Sequence, residues 1–391
     1  MGFFDLDKRI FNLVKIYRKV VGNLIRAKPK ILYIVEAMGG GVFTYIVDLA
    51  NNLIDSYDIS IAYAVRPQTP QNFKEYFDER INLIEVKNFT RSIGAIKDIK
   101  AFLEIKQIFK QINPDIIHLH SSKAGVLGRW AFNGHKIPIF YTPHGYSFLM
   151  EDCKSYKRML FQIIETISAK RNCTTISCSI GEHKETIKMT SRATYVSNGI
   201  NQNELDKLLS QVPEDAHPFT VFTIGRICYQ KNPELFNRIA ESMPDIQFLW
   251  IGDGELRNEL KAPNIRITGW VERGKALELA QNTDVFLLTS LWEGLPMSLL
   301  EAMYMKKICV VSDVIGNHDV IHNDVNGYVC RKVEEFKQAI IKCKNLDNSV
   351  LVERAYCEVI EEYNTRAMVK KYSNIYKQAK TIEFSEVQDD N

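Results

Sequence analysis

Short apolar runs bounded by polar residues alternate with longer amphipathic stretches along most of the chain. "KILYIVEA" (30–37) reads as a buried strand and "GVFTYIVDLANNL" (41–53) as the helix that follows it. The same rhythm continues through "ISIAYAV", "INLIEV", the helical "IKAFLEIKQIFKQI", "DIIHLHSS", "AGVLGRWAF", "IPIFYTPH", a helix around 154–171 and "TTISCS". A polar, proline-containing stretch, "LSQVPEDAHPF" (209–219), interrupts it. A second series then opens with "TVFTIGR", "NPELFNRIAESM", "IQFLWIG", "LRNEL", "IRITGW", "KALELAQN", "VFLLTS", "PMSLLEAMYM" and "KICVVSD". Strand–helix alternation predicts parallel sheets flanked by helices. The fold class is therefore α/β, with two Rossmann-like domains, 30–200 and 201–375, facing across a cleft. The final helix is free to cross back to the first domain, and 376–391 reads as an acidic tail.

The opening segment has a different character. Phe3, Leu6, Ile10, Leu13, Val14, Tyr17, Val21 and Leu24 fall on one helical stripe, with Lys8, Asn12, Lys15, Lys19 and Arg26 opposite. Residues 1–29 thus predict a basic amphipathic helix, which either lies in an anionic membrane interface or packs on the protein itself.

Composition narrows the function classes. The chain has 391 residues, 46% hydrophobic and 25% charged, which fits an ordinary globular protein of two domains. The net charge is +3, yet residues 1–30 hold eight Lys/Arg against two Asp, leaving −3 for the remainder. A nucleic-acid-binding surface is not suggested. Eight cysteines are scattered without C-x-x-C pairs, so neither a disulfide framework nor a structural metal is expected, and a reducing cytoplasm fits. No apolar run nears the 18 or so residues needed to cross a bilayer.

The candidate chemistry gathers at strand ends. "LTSLWEGLPMSLLEAM" (288–303) places Glu293 in a loop after a strand and Glu301 inside the following helix. In open α/β sheets that edge binds ligands, and a carboxylate accepts the hydrogen bonds that sugar hydroxyls donate. Solvated glutamates are the plain alternative. Gly39, Gly40 and Gly41 allow a sharp turn ahead of a helix N-terminus, a site suited to phosphate, or else a merely flexible turn. Gly225 and Arg226 end the first strand of the second series, and Lys231 follows. Two cations there either neutralise a diphosphate or are simply solvated. His144 in "TPHG" follows a strand at the expected cleft edge, whereas His118 and His120 alternate on a strand and read as structural. "SNGI" (197–200) makes another turn near the domain junction, and "GDGELRNEL" (252–260) repeats the strand, glycine turn and helix theme.

Together these elements resemble glycosyltransferase family 4, retaining enzymes of the GT-B fold. The resemblance covers nearly the whole chain after residue 30 and rests on the glycine turn, "TPHG", "SNGI", "GRICYQK", "GDGEL" and above all "EGLPMSLLEAM", with its E-x7-E spacing. It implies that Glu301 binds the ribose of a nucleotide diphosphate sugar, while Glu293 and the amides of Gly294 and Leu295 address the donor sugar. Arg226 and Lys231, beside Gly225, would grip the diphosphate. Gly40 and Gly41 would close over it, Asn198 would belong to the donor site, and His144 would lie beside the sugar. Asn317 and Asp319 stand where the family more usually has Gly-Gly-x-x-Glu, a variant that looks like the capsule, exopolysaccharide or O-antigen branch. The implied activity is transfer to a lipid-linked saccharide at the inner face of the cell membrane. No cofactor is expected, and with no D-x-D metal motif evident among the strand-end loops the cations stand in for a metal. A GT-B sugar-nucleotide epimerase and a non-catalytic sugar-nucleotide-binding scaffold are the rival readings.

Overall fold

The computed structural model describes residues 28–36, 38–66, 69–90, 94–150, 155–209 and 217–386. The basic segment ahead of residue 28 lies outside the described residues.

The first domain is built from β1 (Lys30–Val35), α1 (Gly40–Leu53), β2 (Asp58–Tyr63), β3 (Asn82–Glu85), α2 (Ala95–Ile112), β4 (Ile116–His120), α3 (Ser122–Ala131), β5 (Ile139–Thr142), α4 (Ser155–Ala169), β6 (Thr174–Ser177), α5 (Ile180–Ile187) and β7 (Ala193–Tyr195). Its seven strands form one sheet in the order β3-β2-β1-β4-β5-β6-β7, and every pairing is parallel. Next come α6 (Gln202–Leu209), β8 (Thr220–Ile224), α7 (Pro233–Glu241), β9 (Gln247–Ile251), β10 (Ile265–Ile267), α8 (Arg273–Gln281), β11 (Val285–Leu288), α9 (Met297–Tyr304), β12 (Ile308–Ser312), β13 (Tyr328–Cys330), α10 (Val333–Asn345), α11 (Ser349–Glu361) and α12 (Thr365–Glu386). This second sheet runs β10-β9-β8-β11-β12-β13, again parallel throughout. Helices on both faces bury the central strands, which explains their unbroken apolar runs. Ile31 to Val35 are wholly buried, as are Val285, Phe286 and Leu287.

Two sequence expectations need correction. "LRNEL" forms only a single 3-10 turn, Arg257–Glu259, because the preceding glycine turn bends the chain back onto "GRIC". A Cβ on Gly254 would strike the Ile227 carbonyl oxygen at 2.2 Å. Nor does a tail begin at 376. Helix α12 runs through that position, and Met368, Tyr372 and Tyr376 are buried in the first domain's core beside Tyr45, Ile46 and Leu49. Burial of each such side chain contributes roughly 1.5–3 kcal/mol. The chain thus crosses between domains twice. The crossings are tied where Ile200 N donates to the Tyr363 carbonyl and Thr365 N to the Ile200 carbonyl, both at 2.9 Å. A Cβ on Gly199 would lie 2.3 Å from the Asn364 backbone, so only glycine permits this approach.

Candidate active site

The carboxyl ends of the two sheets face a shared cleft of roughly 1500 Å³. Gly40, Gly41, His144, Asn198, Gly225, Arg226, Lys231, Glu293, Gly294, Leu295 and Glu301 all line it. Parallel α/β architecture explains the convergence, since each of these loops leaves a strand at its carboxyl end.

Glu293 is buried at the end of the loop after β11, within a dense set of donors. Lys231 Nζ lies 2.7 Å from its Oε1, Ser290 Oγ donates to the same oxygen at 2.7 Å, and Gln230 Nε2 reaches Oε2 at 3.2 Å. Gln230 also binds the Trp292 carbonyl at 3.0 Å, and Thr289 Oγ1 holds the Lys231 carbonyl at 2.8 Å. The loops after β8 and β11 are therefore one unit. An ammonium has three donors, so Lys231 can keep Glu293 and still meet an anion entering the cleft.

Arg226 is arranged differently. Its Nε and Nη2 both reach Glu255 Oε2 at 2.9 Å, and its side chain is 34% exposed. Exposed pairs of this kind contribute about 0–1 kcal/mol, so an incoming diphosphate can displace Glu255 at little cost. Gly225, at φ +149°, sets the backbone beneath both cations; a Cβ there would sit 3.4 Å from Lys231 Cε.

Glu301, in α9, accepts from Arg273 Nη2 at 2.7 Å and Nε at 3.3 Å, while Arg273 Nη1 reaches Glu204 in α6 at 2.6 Å. Arg273 also lines the cleft. Asp48 of α1 approaches this group from the first domain. Burial raises its carboxyl to about 7, partly opposed by the Arg273 charge.

On the first-domain side, His144 adopts φ +56°, a left-handed conformation that turns it toward the cleft. Its Nε2 lies 3.1 Å from His120 Nδ1, and Tyr45 meets it edge-on with centroids 4.7 Å apart. Withdrawal from water lowers its pKa to about 3. At neutral pH this imidazole is uncharged, suited to a hydroxyl rather than a phosphate. His118 is wholly buried between Tyr376 at 2.6 Å and Thr142 at 2.9 Å.

The loops bearing His144 and Glu293 touch backbone to backbone. A Cβ on Gly294 would strike Gly145 N and Cys178 Sγ at 2.8 Å, and one on Gly316 would strike the Gly294 carbonyl oxygen at 2.5 Å. Glu182 secures the first loop by accepting from Gly145 N and Cys178 N, each at 2.7 Å. Asp319 ties the domains by accepting from Gly181 N at 2.9 Å and Gly316 N at 3.1 Å. Asn317 is wholly buried and donates to the Ser312 carbonyl at 3.1 Å. Neither Asn317 nor Asp319 lines the cleft.

Two candidates reach the cleft mainly through backbone. Asn198 Nδ2 donates to the Leu295 carbonyl at 2.7 Å, and the Leu295 side chain is buried in the second domain's core. Gly41 closes the cleft from above, where a Cβ would lie 3.4 Å from Met297 Cγ. Among the described residues no cluster of three His, Cys, Asp or Glu could hold a metal ion.

Residues 39–204 match the profile of Glycosyltransferase Family 4, and residues 218–345 match a profile for Glycosyl transferases group 1. The two matches together span most of the chain, and it is a glycosyltransferase of the family 4 type. This glycosyltransferase is 29% identical over 337 residues to an Escherichia coli UDP-Gal:alpha-D-GlcNAc-diphosphoundecaprenol alpha-1,3-galactosyltransferase, covering 77% of this chain and 85% of that protein. It is 24% identical to the Staphylococcus aureus capsular polysaccharide biosynthesis glycosyltransferase CapM, covering 78% and 84%. In fold it matches the sucrose-phosphate synthase of Thermosynechococcus elongatus, with a TM-score of 0.74 at 16% identity over 91% of this chain and all of that one. A TM-score of 0.68 relates it to WaaG, a glycosyltransferase of lipopolysaccharide biosynthesis, at 12% identity over 88% of this chain and 99% of that one. The GT-B fold of this glycosyltransferase is thereby shown.

Sequence reasoning passes over Arg273, Glu204, Gln230, Ser290, Glu182 and Glu255. Arg273, Glu204, Gln230 and Glu255 each act through a partner distant in sequence, up to 69 positions away for Arg273 and Glu204, whereas Ser290 meets Glu293 three positions on and Glu182 bridges Cys178, four positions back, to Gly145. Gln230, Ser290 and Glu255 carry a local signal, since they stand in "GRICYQK", "LTSLWEGLPMSLLEAM" and "GDGELRNEL", stretches already singled out.

Proposed function

We propose that the enzyme moves a sugar from a nucleotide diphosphate sugar to a hydroxyl of a lipid-linked saccharide, with retention of anomeric configuration, in the synthesis of a bacterial surface polysaccharide. The observation that carries this reading is the pairing of Lys231 with Glu293 beside Arg226 at one sheet edge, opposite an uncharged His144. The activities for which relatives are named, among them an Escherichia coli galactosyltransferase acting between UDP-Gal and GlcNAc-diphosphoundecaprenol, support the donor and acceptor classes.

In this reading the bond between the anomeric carbon and the diphosphate breaks, and the acceptor hydroxyl attacks from the face that the diphosphate leaves. Its proton passes to a departing phosphate oxygen. Arg226 and Lys231 hold the negative charge that develops there, without a metal ion. One preorganised stabiliser of this type is worth about 10²-fold or more in rate. Glu293 faces the positive charge growing on the sugar, Glu301 takes the ribose hydroxyls, and His144 hydrogen-bonds a donor-sugar hydroxyl.

A panel of nucleotide diphosphate sugars, measured by thermal shift and by slow hydrolysis, tests the donor. The identified donor is then offered to lipid-linked saccharides, and the product linkage is read by NMR. An α-linked product from an α-linked donor is expected. An inverted linkage, conversion of the donor to an epimer without acceptor, or nucleotide binding without any turnover would each replace this reading.

A further inference from the structure

Helix α4 has one wall in the cleft and another open to solvent. Phe161 and Ile164 line the cleft. On a separate stripe Tyr156, Met159, Leu160, Ile163 and Ile167 are 60%, 61%, 49%, 45% and 47% exposed. Positions 156, 159, 160, 163 and 167 recur at helical spacing, so they form one continuous apolar face. A helix resting on its own domain places such residues inward and polar ones outward. Trp130 of neighbouring α3 is 49% exposed, with Arg171 stacked 5.1 Å from its ring.

Charge identifies the occupant. Lys157 borders this face at one end, and Lys170 and Arg171 follow at the other. The helix's one carboxylate, Glu165, lies on its opposite side, buried against Arg129 at 2.8 Å. An apolar stripe bearing Tyr, Met, Leu and Ile, edged by Trp and cations, has the composition of a surface that enters the headgroup boundary of an anionic bilayer.

We propose that the outer face of α4 seats on an anionic lipid bilayer and brings the cleft to the membrane surface, where a lipid-linked acceptor is anchored. The acceptor part of this inference rests on the proposed function. The seating itself does not.

The test is flotation of the full chain with phosphatidylcholine vesicles containing or lacking phosphatidylglycerol. Wild type should bind the anionic vesicles, and less well in high salt. Met159→Glu with Ile163→Glu should lower the partition coefficient roughly tenfold or more, because two charges replace apolar groups at the interface. Both positions are exposed, so the thermal midpoint and donor hydrolysis should stay unchanged. Transfer to a vesicle-embedded acceptor should fall, while transfer to a short water-soluble acceptor should persist. If the double variant binds vesicles like wild type, the inference fails, and it fails in particular if deletion of residues 1–27 alone abolishes binding. Reversible self-association that the double variant abolishes, with no vesicle binding by wild type, would reassign the face to a second copy of the chain. Absence of transfer to any acceptor, with vesicle binding intact and lost in the double variant, would sink the proposed function and leave this inference standing.

Discussion

Arg273 and Glu301 form an ion pair of 2.7 Å at the rim of the cleft, with Glu204 closing the other side of the guanidinium at 2.6 Å. The carboxylate assigned to ribose is therefore held in a fixed direction before any donor arrives. A contact of this type hardly changes as the glycosidic bond breaks, so it belongs to uniform binding.

Glu301→Gln should raise the donor KM about 10- to 150-fold with a smaller fall in kcat, since a charged hydrogen bond is worth about 1.5–3 kcal/mol. Saturation curves with a 2′-deoxyribose donor decide the cause. The deoxy penalty should largely vanish in Glu301→Gln. If the two penalties add fully, Glu301 serves only to hold Arg273.

The two cations should behave differently when removed. Arg226→Ala should cut kcat about 10²-fold or more with little change in melting temperature, because its Glu255 partner is half in solvent. Lys231→Ala should lower both, because it strands the buried Glu293 without its counter-charge. Lys231→Ala with Glu293→Gln should recover much of the lost stability and none of the activity. Differential scanning calorimetry beside steady-state kinetics separates these outcomes.

Acidification should destabilise the fold through its histidines. His144 titrates at about 3 in the folded protein, and burial also places His118 and His120 well below the usual value near 6.5. The unfolded chain therefore binds protons that the folded one refuses. Stability is fully present above about pH 6.5 and is lost as pH falls toward 3, at up to about 1.4 kcal/mol per pH unit for each histidine. Asp48 has the opposite sign. Its carboxyl is raised to about 7, so its stability is present below about pH 4 and is lost as pH rises through 7. Asp48→Asn should thus raise the melting temperature at pH 8 relative to wild type and change it little at pH 5. An equal gain at both values would detach the effect from ionisation.

Gly316→Ala should impair activity and stability together, because its φ of +85° is strained for alanine and the new Cβ would meet the Gly294 carbonyl oxygen. Gly269→Ala, away from the cleft lining, is the control. It carries the strain of φ +77° with only Asp253 Oδ2, at 3.7 Å, near the new Cβ, so it should cost only about 1–2 kcal/mol. Comparable losses in the two variants would mean that the meeting of the loops has no role.

The strands were legible because burial on both sheet faces writes them as short apolar runs, as in "KILYIV" and "VFLL". The cleft was legible because glycines, prolines and charges punctuate those runs at their carboxyl ends. The partners of the charged groups were not, since Arg273 meets Glu301 and Glu204 only after the sheet is assembled. Helix α12 was hard to place for a different reason. Its inward side carries Met368, Tyr372 and Tyr376, and two tyrosines among lysines look as much like surface as core. The 3-10 turn at Arg257–Glu259 shows the converse error, good helix formers halted by the turn before them.

The return of α12 to the first domain bears on how the protein is made. Met368, Tyr372 and Tyr376 complete a core whose other buried members precede residue 200. During synthesis, that core must wait, partly open, while the entire second domain emerges from the ribosome. A chain stopped after residue 200 should expose its unfilled groove and aggregate or be degraded, although every strand of its sheet is present. Chaperone demand should accordingly peak late in translation and end only as the last helix docks.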